Sequence, residues 1–342
     1  MALKILTVLA GADVGGAETF FVTLTVALAR AGREVRSVLK PNAAREQALQ
    51  EAGIPYRTAK FRTPIDITTA RILREEAESF GADIVLAFAG RAASFAPRGN
   101  YVLIGRLGGY YNLNNFKKCD YLICNAPDLL SHVKKGGWTD SQIFLIPNFP
   151  SVPDEPALSR AEVGTPEDAP LAVALGRLHP NKGLDLLIRA ASLIPELHVW
   201  IAGEGQERSA LESLAREMGV GERVKFLGWR SDRVALYKAA DVCVYPSREE
   251  PFGNVVIEAW SCGVPIVTTA STGPSWLVHK DEDAILTPID DVDAFAEGIR
   301  RVIGSKALAQ KLVAAGRRRV AEEFSESAIV RRYIELFEKV RR

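Results

Sequence analysis

Residues 248–265 read Arg248-Glu-Glu-Pro-Phe-Gly-Asn-Val-Val-Ile-Glu-Ala-Trp-Ser-Cys-Gly-Val-Pro265. They follow Val242–Tyr245, a short apolar run of the kind that forms a strand covered on both faces. From Asn254 to Cys262 the pattern is helical, and Gly263 and Pro265 close it. The stretch is therefore strand, loop and helix. Glu250 falls in the loop and Glu258 one turn into the helix, with seven residues between them. The helix opens at Gly253–Val255, where free amides and the helix dipole favour an anion. One carboxylate can hold one end of a ligand and the other a different part, with phosphate between them at the helix start. Carboxylates are natural acceptors for a ribose diol or for sugar hydroxyls. The bland alternative is that Glu258 only complements the helix dipole.

The same strand–loop–helix unit recurs on both sides. In the second half, strands are predicted at Leu171–Leu175, His198–Ala202, Val224–Leu227, Val242–Tyr245, Pro265–Thr269 and Ala284–Leu286. Helices at about 183–193, 206–218, 232–239, 254–262 and 291–302 fill the gaps. The first half gives strands at Ile5–Ala10, Glu34–Leu39, Ile84–Phe88, Tyr101–Arg106, Tyr121–Asn125 and Ile143–Pro147, with helices at 17–31, 45–52, 68–80 and 129–135. Between the halves, Asn148–Pro156 holds three prolines in nine residues and reads as an exposed linker. The class is α/β: two Rossmann-like domains with parallel sheets, binding ligand in a cleft beyond their strand ends. The expected division is 1–152, 153–324 and a last helix at 325–342. That helix carries Ile329, Tyr333, Ile334, Phe337 and Val340 near helical spacing, a stripe that needs a partner surface.

Two further loops directly follow strands. Gly176-Arg-Leu-His-Pro-Asn-Lys-Gly183 resembles a P-loop only briefly, because no Ser or Thr follows Lys182. It leaves Arg177 and Lys182 on one loop, a planar fork and a point charge suited to a diphosphate. Gly11-Ala-Asp-Val-Gly-Gly-Ala-Glu-Thr19 opens the first helix, but Gly11, Gly15 and Gly16 lack dinucleotide spacing. A nicotinamide dehydrogenase is thereby disfavoured.

The 342 residues carry 43 basic and 42 acidic side chains, a net charge of +1 that argues against a nucleic-acid binder. Residues 1–150 hold 18 basic and 13 acidic groups, a mild bias that can favour an anionic partner or membrane surface. The four cysteines form no C-x-x-C pair and the four histidines are scattered, so neither a disulfide framework nor a metal site is expected. No apolar run approaches 18 residues, and Met1–Ala12 reads as a first strand rather than a secretory leader. A cytoplasmic protein is expected, with possible attachment to the inner membrane face.

Taken in register, Arg177…Lys182 in G-R-L-x-x-x-K-G, Glu250-x7-Glu258 and the Ser-Cys-Gly-Val-Pro-Ile-Val ending resemble the retaining GT-B glycosyltransferases of the glycosyl transferase group 1 family. Ile201-Ala-Gly-Glu-Gly205, Val224-Lys-Phe-Leu-Gly228 and Ala240-Asp241 fall in the family's order, so the resemblance covers nearly the whole chain. It implies a nucleotide-diphosphate sugar as donor substrate, no cofactor and no metal. It places Arg177 and Lys182 on the donor diphosphate, Glu258 on the ribose and Glu250 on the transferred sugar. Phe252, Gly253, Asn254 and Val255 would border phosphate and sugar. Gly228, Trp229 and Arg230 would lie near the base, and Gly15 and Gly16 would face the distal phosphate. The catalytic set is then Arg177, Lys182 and Glu250, and the final helix crosses back to the first domain.

Many relatives carry a first-domain His where this chain has Phe88 and Arg106, leaving Arg106 or Arg91 to replace that contact. Arg106-Leu-Gly-Gly-Tyr-Tyr-Asn112 is similar to bacterial envelope transferases. With Arg91, Tyr110, Tyr111 and Asn112 it forms the expected acceptor site, for a glycan or glycolipid of the lipopolysaccharide core. The expected assembly is a monomer or weak oligomer. The competing readings are a nucleotide-sugar epimerase or hydrolase on the same fold, and a non-catalytic nucleotide-sugar binder.

Overall fold

A computed structural model of the chain describes residues 3–12, 15–62 and 66–342. Asp13 and Val14, inside the first glycine-rich loop, lie outside the described residues. The chain forms two compact units, Met1–Asn148 with Ser325–Arg342, and Phe149–Phe324. The expected first boundary, after residue 152, falls slightly beyond the one the contacts define.

In the first unit, β1 (Lys4–Leu9), α1 (Gly16–Arg30), β2 (Glu34–Leu39), α2 (Ala43–Glu51), β3 (Tyr56–Thr58) and α3 (Ile67–Phe80) precede β4 (Ile84–Phe88) and α4 (Ala89–Phe95). Then follow β5 (Val102–Leu107), β6 (Tyr121–Cys124), α5 (Pro127–Lys135) and β7 (Ile143–Leu145). The sheet is parallel throughout, in the order β3-β2-β1-β4-β5-β6-β7. β4 is buried along its whole length, which is why its sequence is a continuous apolar run rather than an alternating one. Two elements escape the sequence pattern. β3 is three residues long, too short for periodicity, and α4 starts at Ala89 with φ +64, a conformation no helix signal anticipates.

The second unit runs β8 (Leu171–Leu175), α6 (Leu184–Ser192), β9 (His198–Ala202), α7 (Arg208–Glu217), β10 (Val224–Gly228), α8 (Arg233–Ala239) and β11 (Val242–Tyr245). It continues through α9 (Asn254–Cys262), β12 (Ile266–Thr269), α10 (Thr272–Leu277), β13 (Ile285–Thr287), α11 (Val292–Ile303) and α12 (Lys306–Glu323). Its parallel sheet has the order β10-β9-β8-β11-β12-β13, so both sheets reverse direction beside their first strand. The core holds Leu187, Ile188, Val199, Ile201, Phe295 and Ile299, all at most 1% exposed. Each such side chain contributes about 1.5–3 kcal/mol on burial.

The last helix, α13 (Glu326–Val340), belongs to the first unit and packs on α1. Its buried face is Ile329, Val330, Tyr333, Leu336 and Phe337. Val330 and Leu336 take the places the sequence reading gave to Ile334 and Val340, which lie only partly covered.

Arg106 requires a correction. It is 2% exposed, and its guanidinium stacks over Phe20 at 4.2 Å and Phe88 at 5.5 Å. Its Nε donates to Tyr333 Oη at 2.9 Å and its Nη2 donates to Asn148 Oδ1. Buried and bonded in this way, it fastens α13 to β5 instead of presenting its guanidinium at the surface, where an acceptor contact was expected of it. Replacing it by Met takes the partner from the buried Tyr333 hydroxyl, removes a bond to Asn148 and removes the stacked cation. Arg106→Met is expected to cost about 2–4 kcal/mol in urea unfolding. A change below about 0.5 kcal/mol would show that these contacts do not hold the helix.

Candidate active site

In open parallel sheets, ligands bind beyond the strand carboxyl ends where the strand order reverses. In the second unit that point lies between β8 and β11. Lys182 follows β8 and Glu250 follows β11, so the topology alone brings them to one place. The loops touch closely. Gly183 adopts φ +61, and a Cβ there would stand 2.1 Å from the carbonyl oxygen of Pro246, so only glycine fits.

Lys182 Nζ donates to Glu250 Oε2 at 2.6 Å and to Tyr245 Oη at 3.3 Å, and Tyr245 Oη itself donates to Glu250. Both side chains of the ion pair are largely covered. Burial pushes the Glu250 carboxyl up, but the Lys182 charge and the hydrogen bonds from Lys182, Tyr245 and the Phe252 amide outweigh it. The carboxyl ends below its ordinary value. Burial raises the Tyr245 phenol far above its usual range, keeping it a neutral donor. Arg177, on the same loop as Lys182, is exposed and has no hydrogen bond or ion pair to another described residue.

Among the described residues, five helices start with a side-chain cap and eight, α6 and α9 among them, without one. α2, α3, α11, α12 and α13 are capped by the side chains of Asn42, Asp66, Asp291, Ser305 and Ser325. α1, α6 and α9 begin at Gly15, Gly183 and Gly253 with no side-chain cap. Gly253 stands at φ +99, a conformation that favours glycine, and the Val256 amide donates to its carbonyl at 3.0 Å.

Glu258 is on the inner face of α9 and 8% exposed. Arg233 Nη1 lies 3.0 Å from its Oε1, and Tyr237 Oη donates to its Oε2 at 3.0 Å. Burial dominates here, and despite Arg233 and Tyr237 the carboxyl is raised. A carboxylate kept where burial disfavours its charge is costly, as expected of a group retained for function rather than stability. Behind it, Trp260 Nε1 donates to the Asp283 carbonyl at 2.9 Å and Arg319 reaches Asp283 at 2.9 Å, fixing α9 against α12.

Gly228 ends β10 at φ +70, and the Trp229 ring beside it is 58% exposed. Arg230 is occupied by Asp232, with Nε donating at 2.8 Å. Phe252 is buried with its ring centroid 6.1 Å from Trp276, while Asn254 and Val255 open α9.

In the first unit, Gly15 and Gly16 start α1, but the Glu18 side chain folds back over Gly11 and Gly15. Its Oε1 accepts from the Ala12 amide at 2.9 Å, and a Cβ on Gly15 would lie 2.2 Å from Oε2. Arg91 is exposed on α4. Tyr110 is 54% exposed, donates to Asp128 and meets the His132 ring edge-on at 5.4 Å. Tyr111 leans on Phe116, and Asn112 caps a short turn through the Asn114 amide at 3.0 Å. The structure thus brings Lys182 and Glu250 together, and leaves Arg91, Tyr110, Tyr111 and Asn112 as separate first-unit features.

Sequence reasoning assigned Lys182 and Glu250 to different parts of a ligand and did not foresee their contact. It also missed Tyr245, Arg233 and Tyr237. Tyr245 was visible only as the polar-tipped last residue of an apolar strand. No group of three His, Cys, Asp or Glu side chains placed to hold a metal occurs among the described residues, and no helix there is long and apolar enough to cross a membrane.

Two parallel-sheet units of this order match solved structures of the GT-B fold. Anabaena HepE, solved with UDP and glucose, superposes with a TM-score of 0.84 over 99% of this chain and 100% of its own, at 21% identity. WaaG, a glycosyltransferase involved in lipopolysaccharide biosynthesis, gives 0.71 over 98% and 99% at 16% identity. Residues 157–319 match the model of glycosyl transferases group 1. The lipopolysaccharide core biosynthesis glycosyltransferase LpsE of Rhizobium meliloti (strain 1021) is 35% identical over 331 residues, 94% of this chain and 95% of that protein. LpsD of the same organism is 34% identical over 332 residues, 95% of each. The chain belongs to the glycosyl transferases group 1 family and is a glycosyltransferase.

The two carboxyls should respond oppositely to pH. Glu250 is held below its ordinary value, so its stabilisation is present above the ordinary carboxylate range and is lost as pH falls through the lowered value. Glu258 is raised, so its stabilisation is present below that range and is lost as pH rises through the raised value. In thermal unfolding between about pH 4 and 7, Glu250→Gln should lose stability against the parent at neutral pH and recover on acidification. Glu258→Gln should gain on the parent as pH rises. Parallel trends would contradict the geometry. A double-mutant cycle on Lys182→Met and Glu250→Gln should give a coupling of about 1–3 kcal/mol.

Proposed function

We propose that this chain moves a sugar from a nucleoside diphosphate sugar to a lipopolysaccharide core acceptor, with retention at the anomeric carbon and with side-chain cations in place of a metal. The observation that carries this reading is the Lys182–Glu250 pair at the strand-order reversal, flanked by the exposed Arg177 and the uncapped α9. Family membership supports transfer. The names of LpsE and LpsD support a lipopolysaccharide core acceptor. A HepE structure with UDP-glucose supports the donor class.

Bond cleavage leaves negative charge on the diphosphate and positive character on the sugar. Arg177 and Lys182 meet the first, and Glu250 meets the second while accepting from sugar hydroxyls. When phosphate arrives, Lys182 is shared between it and Glu250, so the cation is already in place and little reorganises. Glu258 takes the ribose. In the front-face route the C1–phosphate oxygen bond breaks, the acceptor oxygen bonds C1 from the same side, and its proton passes to the leaving phosphate oxygen. The basic bias of residues 1–150 suits a peripheral position on an anionic inner membrane face, where the lipid-linked acceptor is met.

A melting screen with UDP-, GDP- and ADP-sugars identifies the donor, since a ligand of the folded state raises Tm. Label from that donor should then pass to core-truncated lipopolysaccharide, with the donor's anomeric configuration in the NMR spectrum and no loss in EDTA. Release of free sugar without transfer, an inverted product, or a requirement for added Mg²⁺ would each overturn its part of the reading. Lys182→Ala and Arg177→Ala should each cost about 2–4 kcal/mol in kcat/KM, roughly 30- to 1000-fold. Glu258→Gln should act mainly by raising donor KM, and Glu250→Gln mainly by lowering kcat.

A further inference from the structure

Next but one to Glu250 in the chain, Arg248 is the most heavily engaged cation near the site. Its Nη1 and Nη2 grip Asp185 through both carboxylate oxygens, at 2.8 and 2.7 Å. Nη1 also donates to the Pro180 carbonyl at 2.8 Å, and Nε donates to Asp290 Oδ1 at 2.7 Å. Pro180 and Asp185 bracket Lys182, and Asp290 lies in the loop after β13. One guanidinium therefore joins the loops that follow β8, β11 and β13.

The backbone repeats the connection. The Asn181 carbonyl accepts from the Arg248 amide at 2.8 Å and from Ser247 Oγ at 3.1 Å, while Asn181 Nδ2 donates to Glu249 at 2.7 Å. Asp290 stands at φ +60, a strained conformation for a residue with a Cβ, which persists only where its surroundings hold it. Burial pushes the Asp185 carboxyl up, but the Arg248 hydrogen bonds and charge win and keep it ionised below the usual range. None of these contacts reaches a group that would touch substrate. They set the separation of two that would.

We propose that Arg248 is a positioning residue: clasping Asp185, Pro180 and Asp290, it fixes Lys182 and Glu250 in the geometry needed for transfer. The inference rests on reading that pair as donor-site groups. A reaction that depends on the placement of charged groups loses rate steeply when they shift by about an ångström. Lysine cannot substitute, because a single ammonium lacks the planar fork that reaches all three partners.

The test compares Arg248→Lys and Asp290→Asn with Arg160→Lys. Arg160 makes a similar multi-point clasp, to Ala239 O and Asp241, at the amino end of β8 and away from the pair. The assay is transfer from the nucleotide sugar that best raises Tm to core-truncated lipopolysaccharide. Arg248→Lys should lower kcat about tenfold or more with donor KM within about threefold. Asp290→Asn, which removes the charge from one leg while its amide oxygen can still accept, keeps the variant set usable if Arg248→Lys does not fold and should show the same split more weakly. A second readout needs no ligand: the stability difference between each variant and its own Glu250→Gln double mutant, followed against pH. Its loss on acidification should move to higher pH in Arg248→Lys and stay put in Arg160→Lys. Wild-type kcat with an unmoved acid response would overturn the proposal, as would an equal kcat loss in Arg160→Lys. If Lys182→Ala itself transfers normally, the donor-site reading fails and this inference falls with it. If Lys182→Ala fails and Arg248→Lys does not, this inference alone is wrong.

Discussion

A parallel sheet leaves every strand's carboxyl end on one edge, and a change of winding direction opens a gap there between two loops. In the second unit that gap lies between β8 and β11, and the chain fills it with opposite charges, Lys182 and Glu250, 2.6 Å apart. Much of the surrounding structure serves that contact. Gly183 lets the two loops approach, Tyr245 supplies a second donor to the carboxylate, and Arg248 ties the loops from outside. The two charges satisfy each other, since an isolated charge in so covered a place would be far more costly.

Glu258 contrasts with this. Its partners, Arg233 and Tyr237, do not make up for its burial, and the carboxyl is raised rather than lowered. Two acids on one strand–loop–helix unit thus sit in opposite electrostatic states, one locked to a cation and the other kept under tension.

Much of this was legible in the sequence because burial on both faces writes a strand as a bare apolar run. Leu171–Leu175, His198–Ala202 and Val242–Tyr245 are such runs, and the structure places strands at those residues. The Glu250 and Glu258 spacing told which loop and which helix would carry the carboxylates. Other features left no pattern. β3 is too short for periodicity, and α4 begins at a backbone angle that propensity does not report. Arg106 looked like a polar residue at a strand end; only the distant Tyr333 and Asn148 show it to be enclosed. Arg248 opens the strand–loop–helix stretch that decides the fold, yet its carboxylate partners lie 63 and 42 positions away. Contacts between remote positions are what a single sequence conceals.

The first unit is discontinuous, and this bears on how the molecule comes into being. The Arg106 guanidinium must wait for Tyr333, 227 positions later, before its polar contacts are complete. Until α13 has been synthesised, the face of α1 that receives it is bare and the arginine has no hydroxyl to bond. The second unit, Phe149–Phe324, is uninterrupted in the chain and is made in full during that interval. Closing so long a loop carries an entropic cost that grows only slowly with length, so the docking of α13 is thermodynamically easy but comes late. On a translating ribosome the order of maturation is therefore the reverse of the order of synthesis: the unit begun first is the one finished last.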